Sequence, residues 1–178
     1  MNYNRISIVG GPGSGKSTLC NILSRELGLP AIHLDAINFN KNWVEVDKSK
    51  RDKIISMKSK EEKWIIDGNY TKTLKERLYK SDFIIWLDYS TFMHLKGVIK
   101  RYLKIRNSEK PEIPGCKERL RFSFIKFVVM YNKSKRNVIV EYLKDIPKDK
   151  VMVFKKQKDL NMWLKGFTHN EKVLEYLK

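Results

Sequence analysis

An α/β fold built on a parallel sheet is what this chain predicts, and three observations carry the prediction. Short apolar runs alternate with segments whose apolar residues return at helical spacing. Three of the five apolar runs end in aspartate, which puts polar groups along one edge of a sheet. Between the first run and the first helical segment lies Gly10-Gly11-Pro12-Gly13-Ser14-Gly15-Lys16-Ser17, a complete G-x-x-x-x-G-K-[ST] pattern.

Ile6-Ser7-Ile8-Val9 is the first expected strand. Lys16 to about Leu27 is the first helix, with Leu19, Ile22, Leu23 and Leu27 on its apolar stripe; Gly28 and Pro30 stop it. Ala31 to Leu34 is the second strand and ends at Asp35. Asp47 to Lys60 reads as a highly charged helix. Trp64-Ile65-Ile66 is the third strand, ending at Asp67-Gly68-Asn69, and a helix through Leu74 and Leu78 follows. Phe83 to Leu87 is a buried strand ending at Asp88, and a helix follows from about Phe92 to Leu103. Residues 107–117, with Pro111, Pro114 and Gly115, are polar and break the periodicity. From Arg119 to Leu143 helical spacing returns through Leu120, Phe124, Val128, Tyr131, Val138 and Tyr142. Val151 to Phe154 is the fifth strand, and one or two short helices close the chain. With 178 residues, 42% of them hydrophobic, the sequence fits a single domain over 1–178 with an insert at about 101–121.

The glycine motif sits between a strand and a helix, the context in which it forms a phosphate-binding loop, or P-loop. Glycines let backbone N–H groups turn inward toward phosphate oxygens, and the helix N-terminus adds the positive end of its dipole. Gly10, Gly11, Pro12, Gly13, Ser14, Gly15, Lys16, Ser17 and Thr18 are therefore the expected nucleotide-binding residues. Lys16 would reach the β- and γ-phosphates and the Ser17 hydroxyl would ligate Mg²⁺. An aspartate on a neighbouring strand commonly holds the same ion, and Asp67 is the first choice because Gly68 permits close backbone approach. Asp35 is a candidate metal ligand, support for a metal ligand, or acceptor-binding group. Asp88, with Ser90, reads as a cap for the next helix.

Charge is the unusual bulk feature. With 37 basic and 20 acidic residues the net charge is +17, which favours anionic partners without choosing among nucleotides, nucleic acid and acidic membranes. Between Lys96 and Arg136 the acids are Glu109, Glu112 and Glu118 against many lysines and arginines. Two helices flank a Pro/Gly loop there, the pattern of a lid that closes over an active site and brings cations to a transferring phosphoryl group. A nucleic-acid-binding face and an inert solvated surface are the competing readings.

His33, His94 and His169 show no metal-ligand spacing and read as structural. Cys20 falls on the first helix and reads as core, and Cys116 as part of a polar loop. No C-x-x-C is present, so neither a disulfide framework nor a cysteine zinc site is expected. Trp64, Phe83 and Trp86 lie on core strands and are poor base-stacking candidates. The start of the chain runs almost directly into strand and P-loop, leaving no room for a signal peptide, and no apolar run approaches membrane-spanning length. A cytoplasmic protein without a membrane partner is expected. The N-K-x-D guanine signature and the H-R-D and D-F-G kinase signatures are absent.

The P-loop, His33-Leu34-Asp35, Trp64-Ile65-Ile66-Asp67-Gly68-Asn69-Tyr70, Thr73-Leu74, Arg77-Leu78 and Gly115-Cys116-Lys117-Glu118-Arg119 together resemble the bacterial "DNA topology modulation protein" family, which is grouped with the adenylate-kinase-like P-loop kinases. The resemblance covers nearly the whole chain. It implies a nucleoside-monophosphate-kinase-like fold, a five-stranded sheet of order 2-3-1-4-5, ATP binding, and a mobile helical lid containing Arg101, Arg106 and Arg119. The family name implies a part in DNA supercoiling, yet no helix-turn-helix or zinc finger is present. True nucleotide kinases carry Asp-Gly-Phe-Pro-Arg on the third strand, whereas here Asp67-Gly68 is followed by Asn69-Tyr70-Thr71. Asn69 and Asp35 are the expected acceptor-side residues.

The expected activity is ATP-dependent phosphoryl transfer to a small-molecule acceptor, using Lys16, Asp67, Arg101, Arg106 and Arg119, with Mg²⁺ at Ser17 and Asp67. The alternatives are a nucleic-acid-associated ATPase or regulator working through the basic face, and a nucleotide-binding regulator without catalysis.

Overall fold

A computed structural model describes residues 3–106 and 108–167. His169, expected to be structural, and the last expected helix lie outside the described residues.

The central sheet is made of β1 (Arg5–Gly10), β2 (Ala31–His33), β5 (Trp64–Asp67), β6 (Phe83–Leu87) and β9 (Val151–Phe154). They lie side by side as β2-β5-β1-β6-β9, all parallel. Counting these strands alone, the order is the expected 2-3-1-4-5. The remaining strands form two small hairpins: β3 (Phe39–Asn40) with β4 (Val44–Glu45), and β7 (Glu109–Lys110) with β8 (Ile113–Lys117). A tight turn, Lys41–Trp43, joins β3 to β4.

Alternation along each strand sorts side chains onto two faces. Ile6, Ile8, Ile65, Ile85 and Leu87 point to one face, where α1 (Lys16–Leu27) and α8 (Gln157–Phe167) cover them with Leu19, Leu23, Leu160 and Leu164. Val9, Ile84 and Trp86 point to the other, beneath Leu74 and Leu78 of α4 (Thr71–Lys80) and Ile139 of α7 (Arg136–Leu143). Trp64 and Ile66 meet Leu34 of α2 (Leu34–Asn38) and Ile55 of α3 (Lys48–Lys58). No described helix is long and apolar enough to cross a membrane.

The expected helical lid takes a different form. α5 (Thr91–Ile105) and α6 (Phe122–Ser134) flank the segment as expected, but the tip between them is the β7–β8 hairpin. Two prolines and Gly115, held at φ +79°, exclude a helix there. The Glu109 carboxylate accepts from the Gly115 N–H (2.8 Å) and closes the turn. Cys116, expected in a polar loop, is fully buried: its thiol donates to the Asn40 carbonyl (3.2 Å) and accepts from the Trp43 N–H (3.3 Å). The two hairpins are thereby docked together. The long helical pattern after Arg119 is split, with α6 ending at Ser134 and α7 beginning at Arg136.

Candidate functional site

The site gathers at the carboxyl edge of the sheet, where β1 and β5 end and the two hairpins meet. The P-loop leaves β1 at Gly10 and enters α1 through Gly15, which holds the left-handed conformation (φ +89°) at the helix N-cap. Nothing stands within 4 Å of where a Gly15 Cβ would be, so the turn opens onto free space. Lys16 Nζ donates to the Gly11 carbonyl (2.9 Å).

Behind the loop is a chain of four polar side chains. The Ser17 hydroxyl donates to Asp67 Oδ2 (2.6 Å), Asp67 Oδ1 lies 2.9 Å from His33 Nδ1, and His33 Nε2 lies 3.0 Å from Asn21 Oδ1. The parallel register puts His33 of β2 directly beside Asp67 of β5. Burial depresses the His33 pKa, but the Asp67 hydrogen bond and charge outweigh it and the net shift is upward. Ser17 and Asp67 thus offer two oxygen donors, the hard chemistry Mg²⁺ requires, so the residues present fit that ion.

Lys16 is the electrostatic centre. Burial lowers its pKa; the Asp67 and Asp35 charges oppose this, and Arg101 and Lys110 add to it. Lys16 from the P-loop, Arg101 from α5, Lys110 from the β7–β8 hairpin and the carboxylates of Asp35 and Asp67 are therefore close enough to act on one another's charge. Asp35, exposed at the start of α2, accepts from the Tyr70 hydroxyl (3.0 Å) through Oδ1. Arg51 covers the Tyr70 ring from 4.9 Å while its guanidinium donates to Asn38 and Asp52.

The expected lid arginines separate in space. Arg101 pairs with the buried Glu118 carboxylate (3.1 Å). Arg119 lies over the Trp43 ring (5.4 Å) and Arg106 is exposed at the end of α5. Lys110 is the cation that sequence reasoning passed over. It is buried, with its ammonium 5.3 Å from the centre of the Trp43 ring, and burial followed by the Arg101 charge lowers its pKa. Its position in a basic stretch gave no sign that it, among its neighbours, turns inward. Trp43 itself has φ +63°, next to Asn42 at +60°, an unusual conformation for a bulky residue. Its indole N–H donates to the Lys117 carbonyl (2.8 Å), and Phe39 meets its ring edge-on.

Two expectations change. Asn69 is committed to the P-loop: Oδ1 accepts from the Gly10 N–H (3.2 Å), and Nδ2 donates to the Gly10 carbonyl (2.8 Å) and to the Tyr131 hydroxyl (2.8 Å). Both its amide protons are used, so it clamps the end of β1 to α6 and has none to give an acceptor. Asp88 does not cap α5. It forms a two-pronged ion pair with Arg136 (2.7 and 2.8 Å), and Ser90 alone makes the cap bond, to the Met93 N–H. The His94 ring packs beneath Gly11 and edge-on to Tyr131 at 5.5 Å.

Residues 6–87 match the model of a family described as "ATPase family associated with various cellular activities (AAA)". No curated protein matches this chain. Among solved structures, shikimate kinase from Bacteroides thetaiotaomicron aligns with a TM-score of 0.55 at 17% identity, covering 86% of each chain. Shikimate kinase from Acinetobacter baumannii in complex with shikimate aligns with a TM-score of 0.55 at 15% identity, covering 92% of this chain and 94% of that one. At such identities the likeness is one of fold. This chain has a P-loop fold of the kind those kinases share.

Proposed function

We propose that this protein is a cytoplasmic ATP-dependent kinase that transfers the γ-phosphoryl group to a hydroxyl of a small-molecule acceptor, as one domain over 1–178 with the segment at about 101–121 as its lid. The observation that supports this most is the Ser17–Asp67 contact (2.6 Å) immediately behind Lys16 and the open N-terminus of α1. A strand aspartate tied to the P-loop serine is the oxygen pair that would hold the Mg²⁺ of bound ATP, and the ion would supply charge neutralisation at the phosphates.

The chain's own groups supply the rest. The backbone from Gly10 to Thr18 cradles the phosphates, and Lys16 exchanges the Gly11 carbonyl for phosphate oxygens. Arg101 and Lys110 bring positive charge to the transferring group. Asp35, its other carboxylate oxygen free of the Tyr70 bond, orients the acceptor hydroxyl. The nucleic-acid reading has less support, because Arg101 turns to Glu118 and Lys110 to Trp43 rather than outward to a duplex.

ADP release is measured with Mg-ATP across nucleosides, nucleotides and small alcohols. Turnover that depends on one acceptor class is expected. Turnover stimulated by DNA alone, or tight nucleotide binding with no turnover under any condition, would reject the kinase reading.

A further inference from the structure

Cys20, His33 and Asp67 stand far apart in sequence, on α1, β2 and β5. Pairing of β2 with β5 sets His33 beside Asp67, and α1 packs across β5 so that Cys20 reaches the same carboxylate. One donor atom from each, a thiol sulfur, an imidazole nitrogen and a carboxylate oxygen, lies within 4.8 Å of the other two. Cys20 and Asp67 are buried and His33 is half-buried. The Cys20 thiol makes a long, weak hydrogen bond to the Ile65 carbonyl (3.5 Å), a contact that costs little to give up.

This donor set does not suit Mg²⁺, which takes oxygen ligands. Sulfur, nitrogen and oxygen together suit a borderline cation with a small coordination number, above all Zn²⁺, and three protein donors leave one position for water.

We propose that Cys20, His33 and Asp67 form a Zn²⁺ site behind the P-loop that shares Asp67 with Ser17. On binding, Cys20 releases its thiol proton and His33 the proton it shares with Asp67, both to solvent. The freed sulfur and nitrogen lone pairs then ligate the metal together with a carboxylate oxygen. Drawn toward Zn²⁺, Asp67 is withdrawn from Ser17, so Zn²⁺ opposes Mg²⁺-nucleotide binding. This inhibition rests on the kinase reading above; the metal site does not.

Co²⁺ shares these ligand preferences and is visible spectroscopically, so it is titrated into the full chain. A thiolate-to-cobalt charge-transfer band is expected, saturating at a single equivalent and bleached by Zn²⁺. It should vanish in Cys20→Ser, and Co²⁺ affinity should fall more than about tenfold in His33→Asn. The half-buried His33 position supplies this second reading if Cys20→Ser does not fold. A wild-type protein without the band, a band that survives in Cys20→Ser, or an unchanged affinity in His33→Asn overturns the site. Zn²⁺ should also inhibit ATP turnover by the wild type but not by Cys20→Ser, which keeps its Mg²⁺-dependent turnover. Absence of the cobalt band from the wild type counts against the site alone. A wild-type band that is lost in Cys20→Ser, with no turnover in either protein, supports the site and counts against the kinase reading alone.

Discussion

Gly97 of α5 lies against the backbone of Gly13 in the P-loop. A Cβ at Gly97 would stand 2.9 Å from the Gly13 carbonyl carbon and closer still to its oxygen. In the other direction, a Cβ at Gly13 would meet the Val98 N–H nitrogen at 2.6 Å, and Gly13 holds φ +71°. The shape of the phosphate loop is therefore set partly by a helix more than eighty residues away in sequence.

Gly97→Ala should push the loop away from α5. Overpacking of this kind typically costs about 1–3 kcal/mol. Chemical denaturation should show that loss, and ATP affinity should fall with it. Wild-type affinity in a folded Gly97→Ala protein would mean that α5 does not shape the loop.

Lys16→Ala should leave the fold intact and lower turnover by about two to three orders of magnitude, the usual loss for a positioned charge at a transferring group. Turnover by the folded variant is the measurement, and an ordinary rate would refute the assignment.

Asp67→Asn keeps the size of the side chain and removes the charge that a metal shell needs. The Mg²⁺ concentration for half-maximal turnover should rise by about tenfold or more, with a smaller change in melting temperature. An unchanged Mg²⁺ profile would move the metal role to Asp35.

Lys110→Met keeps the aliphatic stem against Trp43 and removes the ammonium. It should lower kcat by about two orders of magnitude with little change in the KM for ATP. Arg106→Ala should affect kcat far less, because Arg106 is exposed at the end of α5. Equal losses in the two variants would show that net lid charge matters rather than the inward cation.

The pH dependence of stability should carry the signature of His94. Burial, and then the Lys16 charge, hold its pKa at about 4 against an ordinary 6.5. Between those values the unfolded chain binds more protons than the native protein, so stability falls as pH drops through that window. The full effect is on the order of 3 kcal/mol. Denaturation curves at the two ends of the window should differ less for His94→Gln than for the wild type. The same difference in both would assign the slope to other groups.

The sequence by itself determined the sheet and its loading edge. Five apolar runs of strand length, separated by helical periods, leave few topologies open. The G-x-x-x-x-G-K-S pattern fixes what the first strand–helix turn is built to hold, because its chemistry is local and needs no distant partner. The place of Asp67 at the carboxyl edge was legible for the same reason: it ends a strand and is followed by glycine. The tertiary structure decided what depends on neighbours distant in sequence. Register across two parallel strands brought His33 to Asp67, and helix packing brought Cys20 to both, where spacing along the chain had shown no metal pattern. Docking of one hairpin on the other buried Cys116 and turned Lys110 inward while Arg106 stayed exposed, a distinction that a run of like charges cannot encode. Asn69 passed from the acceptor to the P-loop because its amide found Gly10 and Tyr131, partners that only the closed fold supplies.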